Sequence, residues 1–188
     1  MIFLLGTCHS IQSEWNEPGT KLSAKLYRFR NYLANAALSN GVTGIAEEFN
    51  RDGESSQHKT IAQEIAESSK PPLKYIQCDP DLKERQGLGI PDDSEILRNI
   101  PPELIGKALD EYRDAELLRY FPAREKFWLE RIRQIPSSSV LLVCGANHVP
   151  TFACRLTETG NPWHILIFNW WAADDREHGP LPFDERPI

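Results

Sequence analysis

The sequence predicts an α/β fold: a mostly parallel central sheet of about five strands with helices on both faces, in the order β-α-β-α-β-(α)-β-α-β. Two observations lead there. Short, nearly continuous apolar runs such as IFLLG and VLLVCG read as strands buried on both faces. Between such runs lie longer stretches with apolar residues at helical spacing, and Gly, Asn or Pro punctuates the joins.

Each element follows in order. IFLLG at positions 2 to 6 is the first strand. From Lys21 the residues Leu22, Leu26, Phe29, Leu33 and Ala36 recur at helical spacing, and Asn40-Gly41 stops the helix. VTGIAEEF is a second strand that turns acidic at its end, and positions 56 to 69 form a second helix with Ile61 and Ile65 inward, closed by Pro71-Pro72. LKYIQCD is the third strand. Positions 80 to 102, rich in Gly and Pro, are expected to form an irregular lid or binding loop, or to hold short helices. Pro101-Pro102 open a helix reaching Tyr120, and Pro122 opens another that ends near Gln134. SVLLVCG, a helix from Asn147 and HILIFNWW complete the fold. Residues 1–171 thus read as one α/β domain and 172–188 as a polar tail wrapping the surface.

Composition bounds the function. At 188 residues, 40% apolar and 26% charged, the chain is expected to be one soluble domain with neither disorder nor a membrane span. No basic region precedes the apolar start, so a cytoplasmic protein without a secretory signal is expected. Cys8, Cys78, Cys144 and Cys154 form no CxxC pair, which argues against a disulfide framework and a zinc ribbon; Cys144 and Cys154 read as small buried hydrophobes. A net charge of −6 offers no general attraction to nucleic acid or an anionic bilayer, leaving a small-molecule or peptide substrate as the expected partner. The basic residues at 21–30 and 119–133 read as solvated helix faces. The adjacent Trp170 and Trp171 point to a pocket or to a homo-oligomer contact.

In open α/β sheets, ligands bind beyond the carboxyl ends of the strands. His9 follows strand one, Glu47 and Glu48 close strand two, Asp79 closes strand three, His148 follows strand four and Asn169 closes strand five. Asn147 reads as an N-cap, which sets His148 in the first helical turn, where the positive end of the helix keeps its imidazole neutral. Neighbouring strand residues point oppositely, so one of Glu47 and Glu48 faces the site and the other forms a salt bridge. His9, Glu47 and His148 make a two-histidine, one-carboxylate shell for a divalent metal, Mn²⁺, Zn²⁺ or Co²⁺, which would bring the pKa of a bound water to about 7. Without a metal, His9 is the general base. Glu48 or Asp79 supports it, Arg124 neutralises a carboxylate or an oxyanion, and Asp79, Asn147 and Asn169 face the substrate. A thiolate zinc site or a Cys-His nucleophile is the rival, from Cys8 beside His9 and Cys144 near His148. His58, His164 and His178 read as structural or exposed, and no glycine-rich phosphate motif is present.

GTCHS, IAEEF, AREKFWLERI and VLLVCGANHV, in that order, resemble the erythromycin-esterase, TraB/PrgY, Tiki and ChaN-like families. His9, Glu47, Arg124 and Gly145-Ala146-Asn147-His148 match the families' GTxH, Glu, Arg and GxxH motifs, and the likeness spans roughly residues 1 to 160. The resemblance implies an α/β fold and a hydrolase site, with metal-dependent peptide cleavage in the Tiki group, macrolide-ester hydrolysis in the esterase group and haem binding in the ChaN-like group. The chain is short and lacks those families' helical insertions and membrane segments, so only the rim chemistry carries over. The expectation is a small metal-dependent hydrolase of amides or esters. Its alternatives are a metal-free esterase and a non-catalytic module binding haem or another small ligand.

Overall fold

Five parallel strands form a single sheet in the order β3-β2-β4-β1-β5. The computed structural model describes residues 1–8, 11–12, 21–49, 59–91, 93–101, 103–104, 106–136 and 138–178. In chain order the elements are β1 (Ile2–Thr7), α1 (Lys21–Ser39), β2 (Gly44–Glu47), α2 (Ile61–Ser68), β3 (Lys74–Gln77), α3 (Leu82–Leu88), α4 (Asp93–Arg98), α5 (Lys107–Ile132), β4 (Val140–Gly145), α6 (His148–Glu158), β5 (Trp163–Ile167) and α7 (Trp170–His178). The α/β class with a parallel sheet is the one the apolar runs predict.

Side-chain alternation along the strands divides the interior into two cores. Leu5, Ile45, Leu141 and Val143 pack with Leu26, Phe29 and Leu33 of α1 and Ile61 and Ile65 of α2. Leu4, Ala46, Leu142 and Cys144 pack with Trp128, Leu129 and Ile132 of α5 and Val149, Phe152 and Leu156 of α6. Every residue of β4 is buried. Each large aliphatic side chain removed from water in this way contributes about 1.5–3 kcal/mol before the entropy of ordering it is counted. The strand therefore reads as an unbroken apolar run with no alternation.

Positions 80–102 take the second of the two forms expected of them, and two other elements depart from expectation. Within 80–102 the chain forms α3 and α4; α3 is opened by a capping box in which the Glu84 amide donates to Asp81 at 2.7 Å and the Asp81 amide donates to Glu84 at 2.9 Å. The helices expected to break at Pro122 are a single helix, α5, with Pro122 inside it. An interior proline costs a helix about 3 kcal/mol, and the buried Phe121, Glu125, Trp128, Leu129 and Ile132 that follow one face of α5 supply the tertiary contacts that offset it.

The second departure is at the end of β5. HILIFNWW is not all strand: β5 stops at Ile167, and Trp170 and Trp171 open α7, so the expected boundary at 171/172 falls inside a helix. Trp170 is buried edge-on against Phe29, and Trp171 lies under the Lys25 ammonium, 3.7 Å from its ring centroid. Both rings make contacts within the chain. Lys25 is buried, donates to the Trp171 carbonyl at 3.3 Å and pairs with Asp174 and Asp175, while Arg28 grips both oxygens of Asp174 at 2.7 Å. These basic residues are a clamp on α7 rather than a solvated face. Burial alone would raise the Asp174 pKa; the Arg28 hydrogen bonds and the charges of Arg28 and Lys25 outweigh it and lower it. No described helix is long and apolar enough to cross a membrane.

Candidate rim site

Helices α1 and α2, which follow β1 and β2, lie on one face of the sheet, whereas α6, which follows β4, lies on the other. β4 sits between β1 and β2, so its carboxyl end opens a crevice at a topological switch point. Thr7 is opposite Gly145 in the ladder, the Ala146 amide donates to the Thr7 carbonyl at 2.9 Å, and the Glu48 amide donates to Val143 at 2.8 Å. Three strand ends thus meet around residues 145 to 148.

The side chains gathered there form a dense ionic cluster. Arg124 of α5 donates to Glu48 at 2.7 Å and to Asp79 at 2.9 Å. Asp79 also accepts the indole N–H of the buried Trp128 at 2.9 Å and Arg85 of α3 at 2.6 Å. The second oxygen of Glu48 accepts the Gly145 amide at 2.7 Å. His148 lies between two carboxylates, Nδ1 at 3.0 Å from Glu125 and Nε2 at 3.3 Å from Glu48. Phe121 stacks on its ring at 3.5 Å between centroids, and Thr151 donates to Glu125.

Of the expected residues, Asp79, Glu48, Arg124 and His148 converge. Arg124 bridges the carboxylates of Glu48 and Asp79. Glu47 lies apart: it shares the α1 and α2 side with Ile45, and its carboxylate accepts the hydroxyls of Thr60 and Tyr75, each at 2.6 Å. Glu48, rather than Glu47, is the carboxylate beside His148, and hydroxyls hold Glu47 on the opposite face of the sheet. Asn147 precedes α6 but makes no cap bond, because its backbone is already helical (ψ −23°), where a cap residue needs an extended ψ to bring its side chain back to the helix amides. Asn169 accepts the Ala172 amide at 3.1 Å at the start of α7. His9 lies outside the described residues, as does His58. Cys78 and Cys144 are buried; burial pushes both thiols up, which leaves Cys144 neutral and unsuited to thiolate chemistry. Cys8 and Cys154 are exposed, the latter contrary to expectation.

Glu125, Phe121, Trp128 and Arg85 escaped the sequence reading. A signal for Glu125 existed: it occupies a position on the apolar stripe of Phe121, Trp128 and Ile132, and a carboxylate on such a stripe requires a partner.

His148 also corrects an expectation. Burial lowers its pKa, but the charge of Glu48 and the hydrogen bonds to Glu125 and Glu48 more than compensate, and the net shift is upward. Carboxylates facing both nitrogens favour the protonated ring against the burial and the Arg124 charge that oppose it. A raised folded pKa gives stability that is complete below the ordinary value of about 6.5 and is lost as pH rises through the folded value. An NMR titration of the His148 ring should therefore show a midpoint above that of an unstructured histidine, and Glu48→Gln should bring it down. A midpoint at or below the ordinary value would contradict the geometry.

The described donors do not form a ready shell for a divalent cation. The carboxylates of Glu48 and Asp79 are already neutralised by a fixed guanidinium, Glu47 is bound to hydroxyls, and among the described residues no three metal-ligating side chains converge. Comparison with known proteins finds no matching family model, no matching curated protein and no matching solved structure.

Proposed function

We propose that this chain is a small hydrolase of esters or amides whose chemistry takes place at the carboxyl end of β4. The observation that carries this is the hydrogen-bonded row Glu125···His148···Glu48 with Arg124 beside it. A histidine whose two nitrogens face carboxylates is held in one orientation and can pass a proton along its axis. The ordered motifs shared with the esterase and Tiki families support the same reading.

In this mechanism His9 takes a proton from the attacking water, Arg124 stabilises the oxyanion of the tetrahedral intermediate, and the imidazolium of His148 gives its proton to the leaving oxygen or nitrogen. The proton held by His9 returns through solvent, and His148 is recharged with Glu48 and Glu125 holding it in place. Each step uses only water and the ester or amide.

Hydrolysis of p-nitrophenyl acetate and of an aminoacyl-p-nitroanilide in EDTA tests this. Turnover should persist in chelator and fall about 100-fold or more in His9→Ala and in His148→Gln. Loss of turnover in EDTA with recovery on adding Mn²⁺, Zn²⁺ or Co²⁺ would replace this route by the metal-dependent one. Absence of turnover together with a Soret band from added haemin, abolished by His9→Ala, would make the chain a haem-binding module.

A further inference from the structure

Beside the ionic cluster, on the far side of Phe121, lies a groove of about 530 Å³ between α5, the start of α6 and the turn after β5. Leu118, Phe121, Pro150 and Phe168 line it together with two residues that carry carboxamides, Asn147 and Asn169. Leu118 and Phe168 are 50% and 52% exposed, unusually open for large apolar side chains on facing walls. Among the described residues, no Asp, Glu, Lys or Arg lines it. The Asn147 side chain makes no cap bond, and among the described residues Asn169 bonds through its carbonyl oxygen, so carboxamide N–H groups are the donors available along the groove. Volume, apolar lining and a few polar groups at one edge are the attributes of a small-molecule site.

We infer that this groove binds the apolar acyl or aryl part of an uncharged ester or amide, with Asn147 and Asn169 hydrogen-bonding its polar end. The inference deepens the proposed hydrolase reading and rests on it for the reaction. An ionised carboxylate or ammonium would be desolvated there without a partner, whereas a neutral carbonyl needs only the carboxamide donors. Phe121 is shared: one face of its ring stacks on His148 at 3.5 Å, and the same side chain walls the groove. A ligand seated there therefore has its polar end one residue from His148, at Asn147.

Octanamide, acetamide, octanoate and octylamine, titrated into the full chain by calorimetry at neutral pH, test the groove without any turnover. Octanamide should bind at least about tenfold more tightly than each of the other three. Leu118→Asp and Phe168→Asp, both at exposed positions that leave the core intact, should each abolish that preference, and Glu48→Gln should keep it. Equal binding of acetamide and octanamide, stronger binding of either charged probe, or no effect of both aspartates would overturn the inference, as would a dimer that Leu118→Asp dissociates. Octanamide binding without turnover of any ester would retain the groove and reject the hydrolase; ester turnover indifferent to acyl length would do the reverse.

Discussion

Replacing Arg124 by methionine is expected to cost about 3–5 kcal/mol of folding stability, because it removes the guanidinium that two buried carboxylates share and leaves Asp79 with Arg85, and Glu48 with His148, as the remaining charged neighbours. Glu48 and Asp79 are 2% and 5% exposed, and the guanidinium contacts both within 2.9 Å. Methionine keeps much of the stem packing and thus isolates the loss of charge. Lysine should recover only part, since a single ammonium cannot span two carboxylates as a planar fork does. Urea unfolding of the two variants measures this. A loss in Arg124→Met below about 1 kcal/mol, the scale of an exposed ion pair, would show that the cluster is open to water.

Gly6→Ala is the second large effect. A β-carbon at Gly6 would stand 2.0 Å from the Phe168 carbonyl oxygen and 2.7 Å from a Val149 methyl, so β1 must part from the turn after β5 or from α6. The nearest obstacle is backbone, which cannot rotate aside, and the cost should reach about 3 kcal/mol or more. Gly87→Ala, where an added β-carbon meets nothing, is the control and should change stability little. Thermal unfolding compares them; equal melting temperatures would contradict the close approach at Gly6. The same turn carries Phe168 and Asn169, so the clash should also weaken octanamide binding.

Much of this architecture was legible from the chain. Continuous apolar runs marked the central strands β1 and β4, because a strand covered on both faces has no solvent side to alternate toward. The helical stripe from Leu22 marked α1, and its stop at Asn40-Gly41 matches the left-handed Gly41 (φ 58°) that ends it. Where the reading broke, long-range contacts outweighed local rules. Pro122 is a local stop signal, but the inward face of α5 extends past it on both sides. Trp170 and Trp171 continue an apolar run, yet the pairing of Lys25 and Arg28 with Asp174 draws them into a helix.

The rim chemistry divides the same way. That Asp79, His148 and one of two adjacent glutamates would stand near one another follows from parallel strands, which deliver their carboxyl ends to a single side. Which glutamate it is depends on the parity of β2 against its two cores, and that parity is set by how the sheet packs on helices distant in sequence. The protonation of His148 and the sharing of Phe121 between the cluster and the groove likewise arise from α5. Linear order specifies which groups reach the rim; only folding brings α5 against it and so sets their charge and their partners, because electrostatic coupling depends on distance in space and on exclusion of water.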